Sequence, residues 1–279
     1  MLVAPATVVM GVLNVTPDSF SDGGRYANLD EAVRHAVTMR ADGADLVDVG
    51  GESTRPGAER VDAATESGRV LPVLRALAAA GVPTSIDTTR AEVAEAALAA
   101  GASLVNDVSG GLADPRMASV VAGAGVPWIL MHWRGHSRRM QVLANYHDVV
   151  AEVRDELRQR ADAAVAAGVD VTRIILDPGL GFAKRPEHNW RLSAHLDAII
   201  ALGYPVMVGA SRKSYLGTLL AAADGTPRPV AEREAATVAT SLLAVQAGAW
   251  GVRVHDVRAN VDALRVLQAT QVARTQEKQ

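Results

Sequence analysis

Met10-Gly-Val-Leu-Asn-Val-Thr-Pro-Asp-Ser-Phe-Ser-Asp-Gly-Gly24 sets the pattern of the chain. An apolar run stops abruptly at Asn14, and a loop rich in Thr, Asp, Ser and Gly follows. A buried strand delivering so polar a loop is a rigid element presenting chemistry. The same unit of strand, polar strand end, loop and helix recurs along the chain. Short apolar runs predict strands at Thr7–Leu13, Ala44–Gly50, Pro83–Asp87, Ser103–Asp107, Val126–His132, Arg173–Asp177, Pro205–Gly209 and Ala249–Val254. Strands that are apolar throughout belong to a sheet covered on both faces.

Between them lie helical patterns. Val150, Val153, Leu157, Ala161, Ala164 and Val165 make one apolar stripe that Gly168 ends. Helices are also expected from His188 to Leu202 and from Val257 to Leu267, and Pro72 is expected to kink or break the helix after the second strand. Eight strand–helix units predict an α/β fold closed as a (β/α)8 TIM barrel, in one domain over residues 1–268, with a polar, frayed tail at 269–279. The competing fold is an open doubly wound sheet. It is disfavoured because no Gly-x-Gly-x-x-Gly follows the first strand.

The 279 residues suit one barrel, which takes about 250 residues. A formal net charge of −3 provides no global field toward nucleic acid or membranes. Cys is absent, which excludes disulfides, thiolate metal sites and cysteine nucleophiles. No basic, then apolar leader is visible at the N-terminus, and no apolar run approaches the ~20 residues of a membrane span, so a cytoplasmic protein is expected.

In a barrel, all C-terminal strand ends open on one face, where active sites sit. Those ends carry Asn14, Asp87, Asn106, Asp107, His132 and Asp177, then Ser211-Arg212-Lys213 beyond strand seven and Arg253 with His255 at strand eight. One such residue is an ordinary helix cap. Polar residues at nearly every end make a polar cup divided by sign. The Asp87, Asn106 and Asp177 side suits a planar nitrogen heterocycle, because carboxylates accept paired N–H groups. The carboxylates are open to two other readings, acid–base work or a structural ion pair with Lys213. Arg212, Lys213, Arg253 and His255 follow strands seven and eight, where barrels hold phosphate. Met131 and Phe182 lie beside the cup, suited to a ring or to the core. The remaining histidines show no metal-ligand spacing.

These motifs closely resemble the dihydropteroate synthase family over nearly the whole chain. The resemblance rests on Met10–Gly24, Gly50–Ala58, Ser85-Ile-Asp-Thr88, Asn106-Asp-Val-Ser-Gly110, Met131-His132, Asp177-Pro-Gly-Leu-Gly-Phe182, Gly209-Ala-Ser-Arg-Lys213 and Arg253-Val-His-Asp256. It implies a transferase of folate biosynthesis that condenses 6-hydroxymethyl-7,8-dihydropterin diphosphate with 4-aminobenzoate to give 7,8-dihydropteroate and diphosphate. By the same resemblance, Asp87, Asn106, Met131, Asp177, Phe182 and Lys213 hold the pterin, and Asn14, Arg253 and His255 hold the diphosphate. Asn14 also helps place Mg²⁺, the implied cofactor. Phe20, Asp22, Thr54, Arg55, Pro56, Lys213 and Ser214 form or close the aminobenzoate site, on loops expected to order with substrates. Asp87, Asp177, Lys213, Arg253 and His255 carry the chemistry, and a homodimer through the later helices is implied. Loss of diphosphate ahead of attack by the neutral arylamine suits a cup that pairs cations for the leaving group with a carboxylate wall.

The resemblance is weaker in Met131-His-Trp-Arg-Gly-His-Ser-Arg-Arg-Met140, where family members often carry a Lys-Gly-Thr-Pro-like run. No insertion interrupts Ser53-Thr-Arg-Pro56, so sulfonamides are expected to compete with aminobenzoate. Two rival readings compete with this one. A methyltetrahydrofolate-dependent methyltransferase has no need of the basic cluster after strands seven and eight. A non-catalytic pterin-binding paralogue is expected to lose loop residues that are intact in this chain.

Overall fold

The structure, a computed structural model, describes residues 7–16, 25–53, 60–135 and 142–276. Among these, eight strands run β1 Val8–Asn14, β2 Leu46–Gly50, β3 Thr84–Asp87, β4 Leu104–Asp107, β5 Trp128–Met131, β6 Ile174–Asp177, β7 Met207–Val208 and β8 Gly251–Val254. The helices between them are α1 Arg25–Ala41, α2 Ala63–Ala79, α3 Ala91–Ala99, α4 Met117–Ala124 and α5 Val149–Ala166. They continue with α6 Pro186–Ala194, α7 Asp197–Ile200, α8 Ser214–Leu219, α9 Glu234–Gln246 and α10 Val257–Gln276.

All pairings are parallel, in the order β6-β5-β4-β3-β2-β1-β8-β7. A parallel bridge between Leu176 and Val206, with the Leu176 N–H donating to Pro205 O at 2.9 Å, joins the two edges. The sheet is thereby a barrel, as the eight repeats predict.

Strand periodicity divides each strand between two environments. One set, including Val9, Leu13, Val47, Val49, Ile86, Val105, Leu130, Leu176, Val208 and Val252, packs outward in the core shared with the helices. The other set faces the lumen. Met10, Leu46, Leu104, Ile129, Ile175 and Met207 form its apolar floor. Each fully buried side chain of this kind contributes on the order of 1.5–3 kcal/mol. Two residues further along β2, β4, β5 and β6, the lumen residues become Asp48, Asn106, Met131 and Asp177, and Arg253 of β8 joins them through Asp48. The floor closes the barrel below, and the polar cup sits on it.

Three sequence expectations are corrected. Pro72 does not break α2, which is continuous from Ala63 to Ala79. Pro72 lies on its exposed side, and the residue whose carbonyl loses a partner four positions back is Gly68, which has open space around it. The single helix expected from His188 to Leu202 is instead α6 and α7, parted at His195, whose ψ of 38° leaves the helical range. The tail expected to fray from residue 269 continues α10 to Gln276. Ala269-Thr-Gln-Val-Ala-Arg-Thr-Gln276 holds neither Gly nor Pro, so nothing stops the helix.

Candidate active site

Asp48 is the deepest charged group of the cup. It is fully buried in mid-strand β2 and accepts from three other strands or their ends. Ser85 Oγ donates to its Oδ1 at 2.5 Å, Asn106 Nδ2 to its Oδ2 at 2.9 Å, and Arg253 Nε to the same Oδ2 at 2.7 Å. A carboxylate paired with a guanidinium has no proton to give, so Asn106 must turn its NH₂ toward Asp48. Its carbonyl oxygen is thereby left as the acceptor on the other side of the amide.

Arg253 spans two carboxylates. Its Nη2 donates to Asp87 Oδ2 at 2.8 Å, and Nη1 has no protein partner among the described residues. The side chain keeps 22% of its surface exposed. Burial pushes the Asp87 carboxyl up to about 7, against the pull of Arg253, with Asp48 adding to the rise. Asn14 lies close by: a Cβ built on Gly50 meets Asn14 Oδ1 and Asp87 Oδ2, each at 3.7 Å.

On the far side, Asp177 ends β6 and accepts the Gly179 N–H on Oδ1 at 2.7 Å. Burial raises its pKa, and Lys213 opposes that rise. Lys213 donates to Leu180 O and lies 4.7 Å over the Phe182 ring centroid. Burial in the cup lowers the Lys213 ammonium to about 8, with Asp177 resisting. A Cβ on Gly209 meets Asp177 Oδ2 at 3.7 Å, Arg253 Cβ at 3.8 Å and Lys213 Nζ at 4.0 Å, so only glycine leaves this space open. Three carboxylates thus face two cations around one opening.

The cup therefore brings together Asn14, Asp87, Asn106, Met131, Asp177, Phe182, Lys213 and Arg253. His255 continues the lumen-facing series of Arg253, and its Nδ1 lies 2.9 Å from Ser211 Oγ. Ser214 opens α8 and is exposed. Phe20, Asp22, Thr54, Arg55 and Pro56 lie outside the described residues.

Three polar strand-end residues turn away from the cup. Asp107 ties down its own loop, accepting from Ser109 N and Oγ and from Gly111 N. Arg212, at φ +58°, pairs with Glu234 on α9. His132 is buried behind the wall between Glu156 and Lys184. All three have the wrong place in the strand alternation or its continuation, so the lumen is not open to them.

The residue that sequence reasoning missed is Asp48. Its signal was present: a charge in the middle of Leu46-Val-Asp-Val-Gly50, two residues before a strand end and so on the lumen face.

The chain is similar to known proteins over nearly its whole length. The sequence matches the family model described as Pterin binding enzyme over residues 10–255. A dihydropteroate synthase of Mycobacterium leprae (strain TN) is 60% identical over 270 residues, covering 96% of this chain and 95% of the relative. The solved Xanthomonas albilineans dihydropteroate synthase with 4-aminobenzoic acid is similar with a TM-score of 0.88 at 46% identity, over 96% of this chain and 94% of that one. A Yersinia pestis dihydropteroate synthase in a sulfonamide drug complex also gives 0.88, at 41% identity, over 96% and 95% of the two chains.

Proposed function

We propose a function on the premise that this chain belongs to the pterin-binding enzyme family, as one of its dihydropteroate synthases. Its reaction joins 6-hydroxymethyl-7,8-dihydropterin diphosphate to 4-aminobenzoate, forming 7,8-dihydropteroate and releasing diphosphate. The observation that carries the assignment of roles is the pairing of Arg253 with Asp87 at the barrel mouth, beside Lys213 and Asp177.

The pterin presents an amino group and ring N–H groups on one edge. Asp87, Asp177 and the Asn106 carbonyl oxygen, turned by Asp48, are three acceptors for that edge. Phe182 and Met131 pack near the ring, and Lys213 serves the pterin from the Phe182 side. Arg253 Nη1, His255 and Asn14 face the diphosphate, so that positive charge meets the oxygens on which negative charge develops. The carboxylates of Asp87 and Asp177 stabilise the cation left on the pterin CH₂ as diphosphate departs. The arylamine nitrogen then attacks that carbon and loses a proton to form the neutral product. Phe20, Asp22, Thr54, Arg55, Pro56, Lys213 and Ser214 are assigned to the aminobenzoate side.

Mg²⁺ fits this donor set as a diphosphate complex. Magnesium commonly keeps several waters and takes one or two protein oxygens plus phosphate oxygens. Asn14 Oδ1 is one such oxygen, and no cluster of three His, Asp or Glu occurs among the described residues to form a separate cage. When bound, the ion neutralises leaving-group charge.

A homodimer through the later helices belongs to the same reading. It is supported by the exposed Leu243 on α9 and Val266 on α10, 64% and 68% accessible. Light scattering tests it, and a monomer at micromolar concentration contradicts it. Residence in the cytoplasm is part of the reading too. No helix among the described residues is long and apolar enough to cross a membrane.

The direct test of the roles is steady-state kinetics of Asp87→Asn and Asp177→Asn. Each should lose turnover while keeping the fold by circular dichroism. Full activity in either variant removes it from the site.

A further inference from the structure

Behind the Asp177–Phe182 loop lies a buried ammonium that the reaction does not touch. Lys184 is 3% exposed and His132 1%. Lys184 Nζ contacts His132 Nδ1 at 2.9 Å, Gly179 O at 3.0 Å and Phe182 O at 3.1 Å. Burial lowers the Lys184 pKa well below the usual lysine value, but an ammonium has three protons and each has one acceptor here, which holds the charge in place. The tautomer of His132 follows. Nδ1 accepts from Lys184, so Nε2 carries the proton and donates to Glu156 Oε2 at 2.9 Å. The reverse tautomer sets a bare Nε2 against an ionised carboxylate. His132 therefore stays neutral beside the Lys184 charge, in line with its low pKa of about 4, which burial and Lys184 cause.

The two carbonyls gathered by Lys184 belong to a loop that holds itself in uncommon conformations. Gly179, Gly181 and Ala183 have φ of +66°, +82° and +46°. A side chain on Gly179 meets His132 O at 2.4 Å, and one on Gly181 meets Lys213 Cδ at 2.8 Å. Ala183 has a Cβ and is in the left-handed region, and its carbonyl is held by Tyr146 OH at 3.0 Å. The front of this loop carries Asp177, whose carboxylate takes the Gly179 N–H, and Phe182, whose ring faces Lys213. From behind, Arg134 stacks 3.9 Å over Tyr146 and pairs with Glu152 and Glu156. Arg134 lies in the strand-five segment that departs from the family pattern.

We infer that Lys184 is a positioning residue for the pterin: its ammonium, oriented by the Glu156–His132 pair, locks the Gly179 and Phe182 carbonyls and so aims Phe182 and Asp177 into the cup. The inference rests on the pterin reading of the cup. It adds a residue cluster that touches no substrate and acts through loop geometry.

The chain has no cysteine, so Lys184→Cys introduces a single thiol. Alkylating that thiol with bromoethylamine in denaturant and refolding restores an ammonium at lysine length. Wild type carried through the same treatment is the control. Misplacing a binding group by about 1 Å costs about tenfold to a hundredfold. Lys184→Cys should raise KM for the dihydropterin diphosphate in that range. KM for 4-aminobenzoate at saturating pterin should stay within about threefold, since Lys184 does not reach that side. Aminoethylation should bring the pterin KM back to within about twofold of treated wild type. Glu156→Ala, at a side chain 34% exposed, should shift the same KM in the same direction by a smaller factor.

A folded Lys184→Cys enzyme with unchanged pterin KM overturns the inference. So does an aminoethylated enzyme that refolds without recovery. If Lys184→Cys does not fold, Glu156→Ala decides, and an unchanged pterin KM in that variant is equally contrary. Failure of wild type to turn over at all sinks the pterin reading itself, which separates the two failures.

Discussion

Arg253 donates to Asp87 across 2.8 Å, joining strands 166 residues apart in sequence at the mouth of the barrel. The same guanidinium is anchored below by Asp48. One guanidinium thus bridges two carboxylates, and its Nη1 has no partner among the described residues. The consequences of that arrangement are measurable.

The first concerns pH. Asp87 titrates near 7 and Lys213 near 8, both through burial. As pH rises through about 7, Asp87 becomes anionic and can accept the pterin N–H groups, so kcat/KM should climb. As pH rises through about 8, Lys213 loses its charge and kcat/KM should fall. A narrow bell is expected, with Asp87 setting its acid limb and Lys213 its alkaline limb. A profile flat from 6 to 9 contradicts both assignments.

The second concerns Asp48. Asp48→Ala leaves Arg253 Nε, Asn106 Nδ2 and Ser85 Oγ without their shared acceptor. Breaking a buried pair by removing one partner costs about 3–5 kcal/mol. Urea unfolding should show a loss of that order, with pterin affinity reduced as well because the Asn106 amide is free to flip. A stability change under about 1 kcal/mol means that Asp48 does not anchor the cup.

Gly209 offers a separation of fold from function. A Cβ there has no contact closer than 3.7 Å and no unusual φ, yet it projects between Asp177, Arg253 and Lys213. Gly209→Val should fold with near-normal stability while the pterin KM rises about tenfold or more, the scale of one misfitting apolar group. Equal loss of stability and activity indicates a packing role instead.

Drug competition probes the aminobenzoate side. A sulfonamide should raise the apparent KM for 4-aminobenzoate and leave kcat unchanged. The motif Ser53-Thr-Arg-Pro56 is uninterrupted, and a similar Yersinia pestis enzyme is solved as a sulfonamide complex. Inhibition that no concentration of aminobenzoate relieves is the contrary result.

Much of this architecture was legible in the sequence, for a physical reason. A parallel sheet covered on both faces needs apolar strands, so polar residues collect where strands end, and Asn14, Asp87, Asn106 and Asp177 mark the cup. Alternation along a strand decides which of them enter the lumen. Asp87 and Asn106 share that face, while Asp107, one residue later, and His132, one after Met131, fall on the other. Asp48 is hidden because a single charge flanked by Val47 and Val49 in mid-strand lacks the strand-end position that marks the other cup residues. Lys184 and Glu156 were hidden because they meet His132 only through tertiary contacts, 52 and 24 residues away. Pro72 misled because an exposed proline with glycine four residues before it is tolerated in a helix.

The most direct measurement is diphosphate release by the purified protein with Mg²⁺, the dihydropterin diphosphate and 4-aminobenzoate, beside Lys213→Ala. The predicted result is steady turnover requiring both substrates, reduced at least about a hundredfold in the variant. Pterin binding without turnover, or turnover indifferent to Lys213, contradicts a synthase built on this cup.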